Sequence, residues 1–242
     1  MNLENLIDKH GLYHAGGSGF SWYCTHFLFN GVDFEHKTML DIGCGNGIYS
    51  LYALERGASY IVGLEPLLAG SDNIKAGIAN KLAIEFGAHS GVNFLQNTLH
   101  DYISDMHEQV FDIVLLHNSV NHLDELNVAK LEKDTKARDL YRHLFCGLYD
   151  LVKPRGVLII TDCSRHNFWK YIGLKNPFAG SIEWGKHQSP YLWALILEEA
   201  NFRSPYITWG GPMRLKGFGR VLFGNRIAAY FYNSFFRLAV WR

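Results

Sequence analysis

The chain has 242 residues, of which 48% are hydrophobic and 19% are charged, with 23 basic and 23 acidic side chains. That apolar content excludes a disordered chain, and the charge balance argues against a generally basic nucleic-acid-binding protein. The length suits one α/β domain with or without an appendage. The four cysteines lack C-x-x-C spacing, which is typical of a reducing compartment, so we expect a cytoplasmic protein.

The predicted elements begin with an N-terminal cap of one or two short helices in residues 1–36, where aromatic side chains surround a glycine cluster. The main domain, residues 37–210, alternates strands with helices. Short apolar runs predict buried strands, at 38–42, 59–65, 92–96, 111–117 and 156–162. Helices are predicted between these strands. The first begins after Asn46, which can cap it, and others are predicted in 67–87 and 125–151. A turn is predicted at Lys153–Gly156. Strands buried on both faces predict a doubly wound, mostly parallel α/β sheet.

The C-terminal extension, residues 211–242, has an unusual charge pattern. No Asp or Glu follows Glu199, whereas seven basic residues do: Arg203, Arg214, Lys216, Arg220, Arg226, Arg237 and Arg242. A helical projection places a basic stripe beside an aromatic and aliphatic one. We therefore predict a helical tail that packs on the main domain or on a second subunit of a homodimer. The alternative is a tail that lies in a membrane interface, which would place the protein at the membrane periphery.

The most informative segment is LDIGCGNG, residues 40–47. A strand ends at Asp41, and the three glycines that follow allow backbone amides to approach a ligand closely. The G-x-G-x-G spacing differs from the G-x-G-x-x-G of dinucleotide sites. The Asp41 carboxylate would repel a pyrophosphate but would suit a cationic amine. This loop is therefore predicted to bind a positively charged group.

Glu65 ends the next predicted strand, in VGLEP at 62–66. An acid at this position can accept hydrogen bonds from both hydroxyls of a ribose. A ligand that contains a cationic amine and a ribose matches S-adenosylmethionine.

The chain resembles the class I S-adenosylmethionine-dependent methyltransferases. The resemblance includes the glycine loop, Glu65, and the blocks FDIVLLHNSVNHL (111–123) and LVKPRGVLIITD (151–162). The resemblance covers residues 37 to about 162 and implies a Rossmann-like class I methyltransferase fold. It implies that the methionine part of the cofactor is held by Asp41 and the backbone of Gly43, Cys44 and Gly45. It likewise implies that Glu65 binds the ribose and that Asn118 lines the cofactor pocket. The position after the third strand, where family members often carry an acid for the adenine, is Thr98 here, so Asn97, Thr98 or a backbone group would have to serve.

The candidate general base lies after the fourth strand, where a hydroxyl nucleophile would need to lose its proton. Histidine titrates near neutral pH, so His122 is the first candidate and His117 the second. His122 could instead only order its loop. Asp162, at the end of the fifth strand, could orient the substrate or cap the following helix. No metal site is predicted.

The predicted acceptor is a small molecule that is methylated on a hydroxyl oxygen. The segment HNSVNHL lacks the prolines found in the Asp/Asn-Pro-Pro-aromatic motif of enzymes that methylate amino groups of DNA bases, and the neutral charge also disfavours nucleic acid. Nitrogen and carbon acceptors stay open. Two other functions are weighed: a non-catalytic binding protein of the same fold, and an NAD-dependent oxidoreductase, which the glycine spacing disfavours.

Overall fold

The protein is described by a computed structural model that covers residues 1–66, 74–88, 90–105, 109–212 and 215–242. Within these ranges the chain divides into two compact units. The first contains Met1–His117 and Val152–Gly156, and the second contains Asn118–Leu151 and Val157–Arg242.

The first unit begins with two helices and continues as a strand–helix alternation. Its helices are α1 (Leu3–His10), α2 (Gly16–Tyr23, extended by a π-helical turn at Cys24–Leu28), α3 (Ile48–Glu55), α4 (Ile74–Phe86) and α5 (Leu99–Ser104). Its strands are β1 (Thr38–Ile42), β2 (Tyr60–Leu64), β3 (Val92–Leu95) and β4 (Phe111–His117). The strands β1, β2 and β4 are almost wholly buried, as their apolar runs predict. The predicted N-terminal cap is thus helical and contributes Leu3, Leu6 and Ile7 to the core.

The second unit contains the remaining elements. Its helices are α6 (Glu125–Val128), α7 (Thr135–Leu151), α8 (Phe168–Tyr171), α9 (Pro190–Glu199), α10 (Lys216–Phe223) and α11 (Arg226–Phe231). Its strands are β5 (Val152–Cys163, whose first five residues belong to the first unit), β6 (Arg203–Trp209) and β7 (Phe235–Trp241). Trp193 of α9 is fully buried against Tyr141 and Phe145 of α7, which forms the core of this unit.

All seven strands form one sheet in the order β3-β2-β1-β4-β5-β7-β6. β1 pairs in parallel with β2 and β4, and β2 pairs in parallel with β3. β7 is antiparallel to both β5 and β6. The predicted doubly wound, mostly parallel α/β sheet is therefore confirmed, and the carboxyl ends of β1 and β2 meet at one edge, where a ligand of such a sheet binds.

The prediction of a helical tail is only partly correct. Lys216–Phe223 and Arg226–Phe231 are helical, but Phe235–Trp241 forms β7, which lies between β5 and β6. Arg237 is 5% exposed within that strand, so it does not belong to a solvent-facing basic stripe. A short apolar run such as FFRLAVW fits a buried strand as well as a helix face, and the sheet decides between them. Arg214 lies outside the described residues.

Three local predictions also differ from the structure. Gly47, with φ of 77°, holds the cap position of α3, while Asn46 makes only a long contact of 3.4 Å to the Ile48 amide. The helix predicted from residue 67 is described from Ile74, because 67–73 lie outside the described residues. The turn predicted at Lys153–Gly156 belongs to β5, which accommodates Arg155 at φ of 67°.

Candidate functional site

The loop between β1 and α3 carries three glycines in the left-handed region of backbone space. Gly43, Gly45 and Gly47 have φ of 75°, 56° and 77°. The amides of Gly43 and Cys44 donate to the Leu64 carbonyl at 2.7 and 3.0 Å, which ties the loop to the end of β2. A Cβ built at Gly45 meets no described atom within 4 Å, so this part of the loop borders space that a ligand could fill.

Asp41 is a buried carboxylate in which one oxygen lacks a partner. Its exposed fraction is 1%, and its Oδ2 accepts a hydrogen bond from the Ser50 hydroxyl at 2.7 Å. Its Oδ1 is shielded from solvent and has no hydrogen-bond partner among the described residues. Burial raises the pKa of Asp41 to about 7, although the Ser50 hydrogen bond opposes this effect. A cationic donor would satisfy Oδ1 and favour the charged form, so Asp41 fits the amino group of a methionine moiety.

Glu65 and Cys44 complete the loop in different ways. The Gly45 amide donates to Oε2 of Glu65 at 2.8 Å, and a carboxylate with one such bond still has capacity for ribose hydroxyls. The Cys44 thiol is 4% exposed and packs close to Gly63. Burial, and then the charges of Asp41 and Glu65, raise the pKa of this thiol far above its usual value. Cys44 therefore packs as a neutral side chain, and its backbone amide is bonded to the Leu64 carbonyl.

Thr98 and Asn118 are engaged in local backbone structure. Thr98 begins α5, where its hydroxyl donates to Asp101 Oδ2 at 2.7 Å and accepts from the Asp101 amide at 3.1 Å. In this reciprocal capping arrangement the Thr98 hydroxyl donates its hydrogen to Asp101. That hydrogen is therefore not available for a hydrogen bond to an adenine ring nitrogen. Asn118 has φ of 55° and is exposed, and its amide donates to the Thr161 carbonyl at 2.9 Å. Asn118 thus turns the chain directly after β4.

His117 ends β4 inside an aromatic group. Its ring centroid lies 4.3 Å from that of Tyr49 and 5.9 Å from that of Tyr23. Burial lowers the pKa of His117 to about 3. A base with so low a pKa has little driving force to accept a proton from a hydroxyl near neutral pH, so the geometry disfavours His117 as the general base.

His122 lies in the loop after β4, and its side chain is 51% exposed. Its Nδ1 contacts Glu125 Oε1 at 2.7 Å, and the other oxygen of Glu125 contacts Lys186 Nζ at 3.4 Å. These hydrogen bonds lower the pKa of Glu125. An ion pair with this exposure contributes little, so His122 belongs to a solvated charge network.

Asp162, near the end of β5, is 1% exposed and binds a second histidine. Its Oδ1 contacts Nδ1 of His187 at 2.8 Å and accepts from the Cys163 amide at 2.8 Å. Its Oδ2 is buried and has no hydrogen-bond partner in the described part of the chain. Burial raises the pKa of Asp162, and the contact with His187 is the main opposing effect. The predicted cap of the next helix is not made by Asp162, since Asn167 caps α8.

The segment around His187 is firmly held. Gln188 is fully buried, its side-chain Nε2 donates to the Val128 carbonyl, and its Oε1 accepts from Arg165 at 3.2 Å. Ser189 caps α9 through its hydroxyl, which accepts from the Tyr191 amide at 3.2 Å. The His187 side chain is 14% exposed. The buried Gln188 and the helix cap at Ser189 therefore fix the backbone that follows His187.

A family model described as a methyltransferase domain matches residues 33–198, more than half of the chain. The chain belongs to the methyltransferase domain family. The predicted family and enzyme class are thus confirmed, and the NAD-dependent oxidoreductase alternative is set aside.

The methyltransferase also matches curated relatives over a short stretch. It is 35% identical over 84 residues to ribosomal protein L11 methyltransferase from Aliivibrio fischeri, which covers 33% of this chain and 28% of that relative. The Vibrio vulnificus enzyme of the same name is 36% identical over 84 residues, with the same coverage. The match spans under a third of the length of these relatives.

Solved structures are similar in fold to most of the methyltransferase chain at low sequence identity. An S-adenosylmethionine dependent methyltransferase from Mesorhizobium loti has a TM-score of 0.57 and 14% identity, covering 87% of this chain and 93% of its own. A SAM dependent methyltransferase from Archaeoglobus fulgidus has a TM-score of 0.53 and 18% identity, covering 89% and 88%. The cofactor of these proteins agrees with the one predicted from the glycine loop.

Five of the predicted cofactor-binding residues lie together in the first unit. Asp41, Gly43, Cys44, Gly45 and Glu65 surround one loop, as the motif predicts. The sequence carries no local signal for His187, because it lies 25 residues beyond Asp162 and outside any motif. Only the folded chain reveals that the acid after the fifth strand has a histidine partner.

Proposed function

We propose that the methyltransferase transfers the methyl group of S-adenosylmethionine to a hydroxyl oxygen of a small molecule, with His187 as the general base. The observation that carries this proposal is the hydrogen bond between His187 Nδ1 and the buried carboxylate of Asp162. With Nδ1 as the donor to Asp162, the other ring nitrogen, Nε2, has the free lone pair that accepts a proton. The carboxylate also stabilises the imidazolium that forms.

In this reaction S-adenosylmethionine supplies an electrophilic methyl group on a positively charged sulfur. The acceptor oxygen forms a bond to the methyl carbon as the carbon–sulfur bond breaks, and the electron pair of that bond stays on sulfur. The hydroxyl proton moves to Nε2 of His187, and S-adenosylhomocysteine and the methyl ether are the products. Asp41 and Glu65 bind the amino group and the ribose, which holds the methyl donor in place.

The proposal transfers the role of base from His122 to His187. Both rings contact a carboxylate, but His122 is half-exposed whereas His187 is 14% exposed and its partner is buried. A buried carboxylate holds one tautomer and one ring orientation more firmly than a solvated one. His122, with Glu125 and Lys186, instead forms a charged border that could orient a polar acceptor.

The test measures S-adenosylhomocysteine release with a panel of hydroxyl-bearing small molecules, matched amines and ribosomal protein L11. We expect turnover with a hydroxyl compound, and His187→Ala to lower it by about 10²–10⁴-fold while affinity for S-adenosylhomocysteine stays unchanged. Asp162→Asn should lower turnover at least about 10²-fold, because an amide no longer favours the required tautomer. His122→Ala is the matched control and should cost under about tenfold.

The pH profile separates a base from a merely structural histidine. His187→Ala should change the pH dependence of the rate, whereas the control His122→Ala should leave it as in the wild type. Undiminished turnover of His187→Ala at saturating acceptor would refute the assigned base. Turnover with ribosomal protein L11 alone would refute the small-molecule acceptor, and no turnover with any panel member would favour the non-catalytic alternative.

A further inference from the structure

The exposed apolar side chains of the protein are concentrated in two segments of the second unit. Among the described residues, more than half of the large apolar side chains that face solvent lie in 171–178 and 215–231. Within these two segments the most exposed side chains are Val221 at 83%, Ile227 at 74% and Phe218 at 69%. We refer to residues 168–178 and 215–231 together as the apolar–basic surface. Exposed apolar side chains that cluster in this way typically mark an interaction site, whereas single exposed ones do not.

The apolar–basic surface is a built structure and not a frayed end. The ring of Phe168 in α8 lies 4.9 Å from that of Phe231 in α11, and Phe178 lies 4.9 Å from Tyr232. Trp169 Nε1 donates to the Phe231 carbonyl at 2.8 Å. Aromatic packing and a backbone hydrogen bond therefore join the two segments.

Helices α10 and α11 are also joined rigidly. Asn225 donates to the Leu222 carbonyl at 3.0 Å and accepts from the Ala228 amide at 3.0 Å, so one side chain binds both helices. On α10, Phe218, Val221 and Leu222 are spaced i, i+3 and i+4, which places them on one face, and all three are exposed. This face therefore projects apolar side chains with nothing among the described residues covering it.

The charge on this surface has one sign. Exposed basic residues flank the apolar side chains, namely Lys170, Lys175, Lys216 and Arg226. The sequence contains no Asp or Glu after Glu199, so α10 and α11 carry no acid. Glu132, which faces Lys170 from the 130–134 segment, is itself paired with Arg165 at 3.0 Å. Such a surface complements a polyanion.

We propose that the apolar–basic surface binds the face of an anionic lipid bilayer. Phe218, Val221 and Ile227 enter the boundary between headgroups and acyl chains, while the lysines and Arg226 contact lipid phosphates. The combination of aromatic and aliphatic side chains with cations distinguishes a lipid surface from a purely ionic partner. No helix in the described ranges is long and apolar enough to cross a membrane. This proposal is independent of the assigned base.

The test is flotation of the full-length protein with phosphatidylcholine vesicles that contain or lack phosphatidylglycerol, at low and at physiological salt. We expect binding to the anionic vesicles and weaker binding as salt increases. A truncated tail is not a suitable variant for this test, because truncation would remove β7, the strand that pairs with both β5 and β6. Point variants of exposed residues preserve the fold.

Two double variants separate the apolar and ionic contributions. Phe218→Ser with Val221→Ser should weaken partition at least about tenfold on anionic vesicles. Lys216→Glu with Arg226→Glu should remove the preference for anionic over neutral vesicles. Ile84→Ser is the matched control, since this residue is 64% exposed on α4 and should leave partition unchanged.

Three results would overturn the proposal. The first is wild-type protein that stays unbound with anionic vesicles at low salt. The second is vesicle binding that Phe218→Ser with Val221→Ser leaves intact. The third is a lipid-free dimer that this double variant converts to a monomer, because a second copy of the chain would then be the occupant of the surface.

Discussion

The substitution Asp41→Asn probes the cofactor loop most sharply, because it removes a charge and preserves shape. The amide oxygen of the variant would still accept the Ser50 hydroxyl, whose bond to Asp41 is 2.7 Å long. The variant would not offer a carboxylate oxygen to a cationic amine. Loss of such a charge-assisted bond costs about 1.5–3 kcal/mol, so affinity for S-adenosylhomocysteine should fall roughly 10–150-fold.

The same substitution should stabilise the protein without cofactor. A pKa of about 7 in place of 3.8 means that folding penalises the carboxylate. At about 1.4 kcal/mol for each pKa unit, the penalty reaches roughly 4 kcal/mol above pH 7 and disappears as the pH falls towards 4. The unsatisfied amide of Asn would itself cost about 1–3 kcal/mol. The net gain in free energy of unfolding should therefore be about 1–3 kcal/mol at pH 8 and smaller at pH 5.

The assays are isothermal titration with S-adenosylhomocysteine and urea unfolding at both pH values. Wild-type affinity should itself fall as the pH drops below about 7, because the charged form of Asp41 binds the amine. Asp112→Asn is the control: burial raises the pKa of Asp112, but hydrogen bonds from Lys153 and Thr38 lower it overall. That variant should lose stability and keep cofactor affinity. Unchanged affinity in folded Asp41→Asn would refute the assignment of the amine to this carboxylate.

Other predictions concern neighbouring positions. Gly45→Ala should lower S-adenosylhomocysteine affinity at least about tenfold while costing about 1 kcal/mol of stability, because its Cβ enters open space at φ of 56°. Gly47→Ala should instead lower the free energy of unfolding, measured with urea, by about 2–4 kcal/mol, since its Cβ would lie 2.5 Å from the Phe94 ring. Equal stability of the Gly45→Ala and Gly47→Ala variants would contradict this difference. Thr98→Ala should cost about 1 kcal/mol through loss of the α5 cap and leave cofactor affinity unchanged. A clear loss of affinity in Thr98→Ala would instead support the adenine role expected from the sequence.

Elements that depend on local pattern are predictable from the sequence. The strand 111–117 matches β4 at both ends, because five apolar residues, Phe111 and 113–116, form a short run that is followed by the polar Asn118 and Ser119. The loop that contains Gly43 and Gly45 follows from a strand that ends in an acid and is followed by glycines. Burial and backbone conformation act over a few residues in these cases, so a sequence window contains the necessary information.

Features that depend on distant partners are not predictable in this way. FFRLAVW becomes a strand because β5 and β6 offer free edges on both sides, which a helical projection cannot represent. His187 acquires its position from Asp162, 25 residues earlier, and from its neighbour Gln188, whose own partners Val128 and Arg165 are also distant in sequence. The low pKa of His117 likewise results from the packing of Tyr49 and Tyr23 around its ring. Each depends on contacts that only the folded chain creates.

The central claim is that Asp41 binds the amino group and Glu65 the ribose of S-adenosylmethionine, as the sequence motif indicates. A crystal structure of the protein with S-adenosylhomocysteine tests it most directly. The account predicts the amino nitrogen within hydrogen-bond distance of Asp41 Oδ1, the atom that has no partner among the described residues, and the ribose hydroxyls on Glu65. An amino group bound elsewhere, with Asp41 Oδ1 still without a donor, would contradict it.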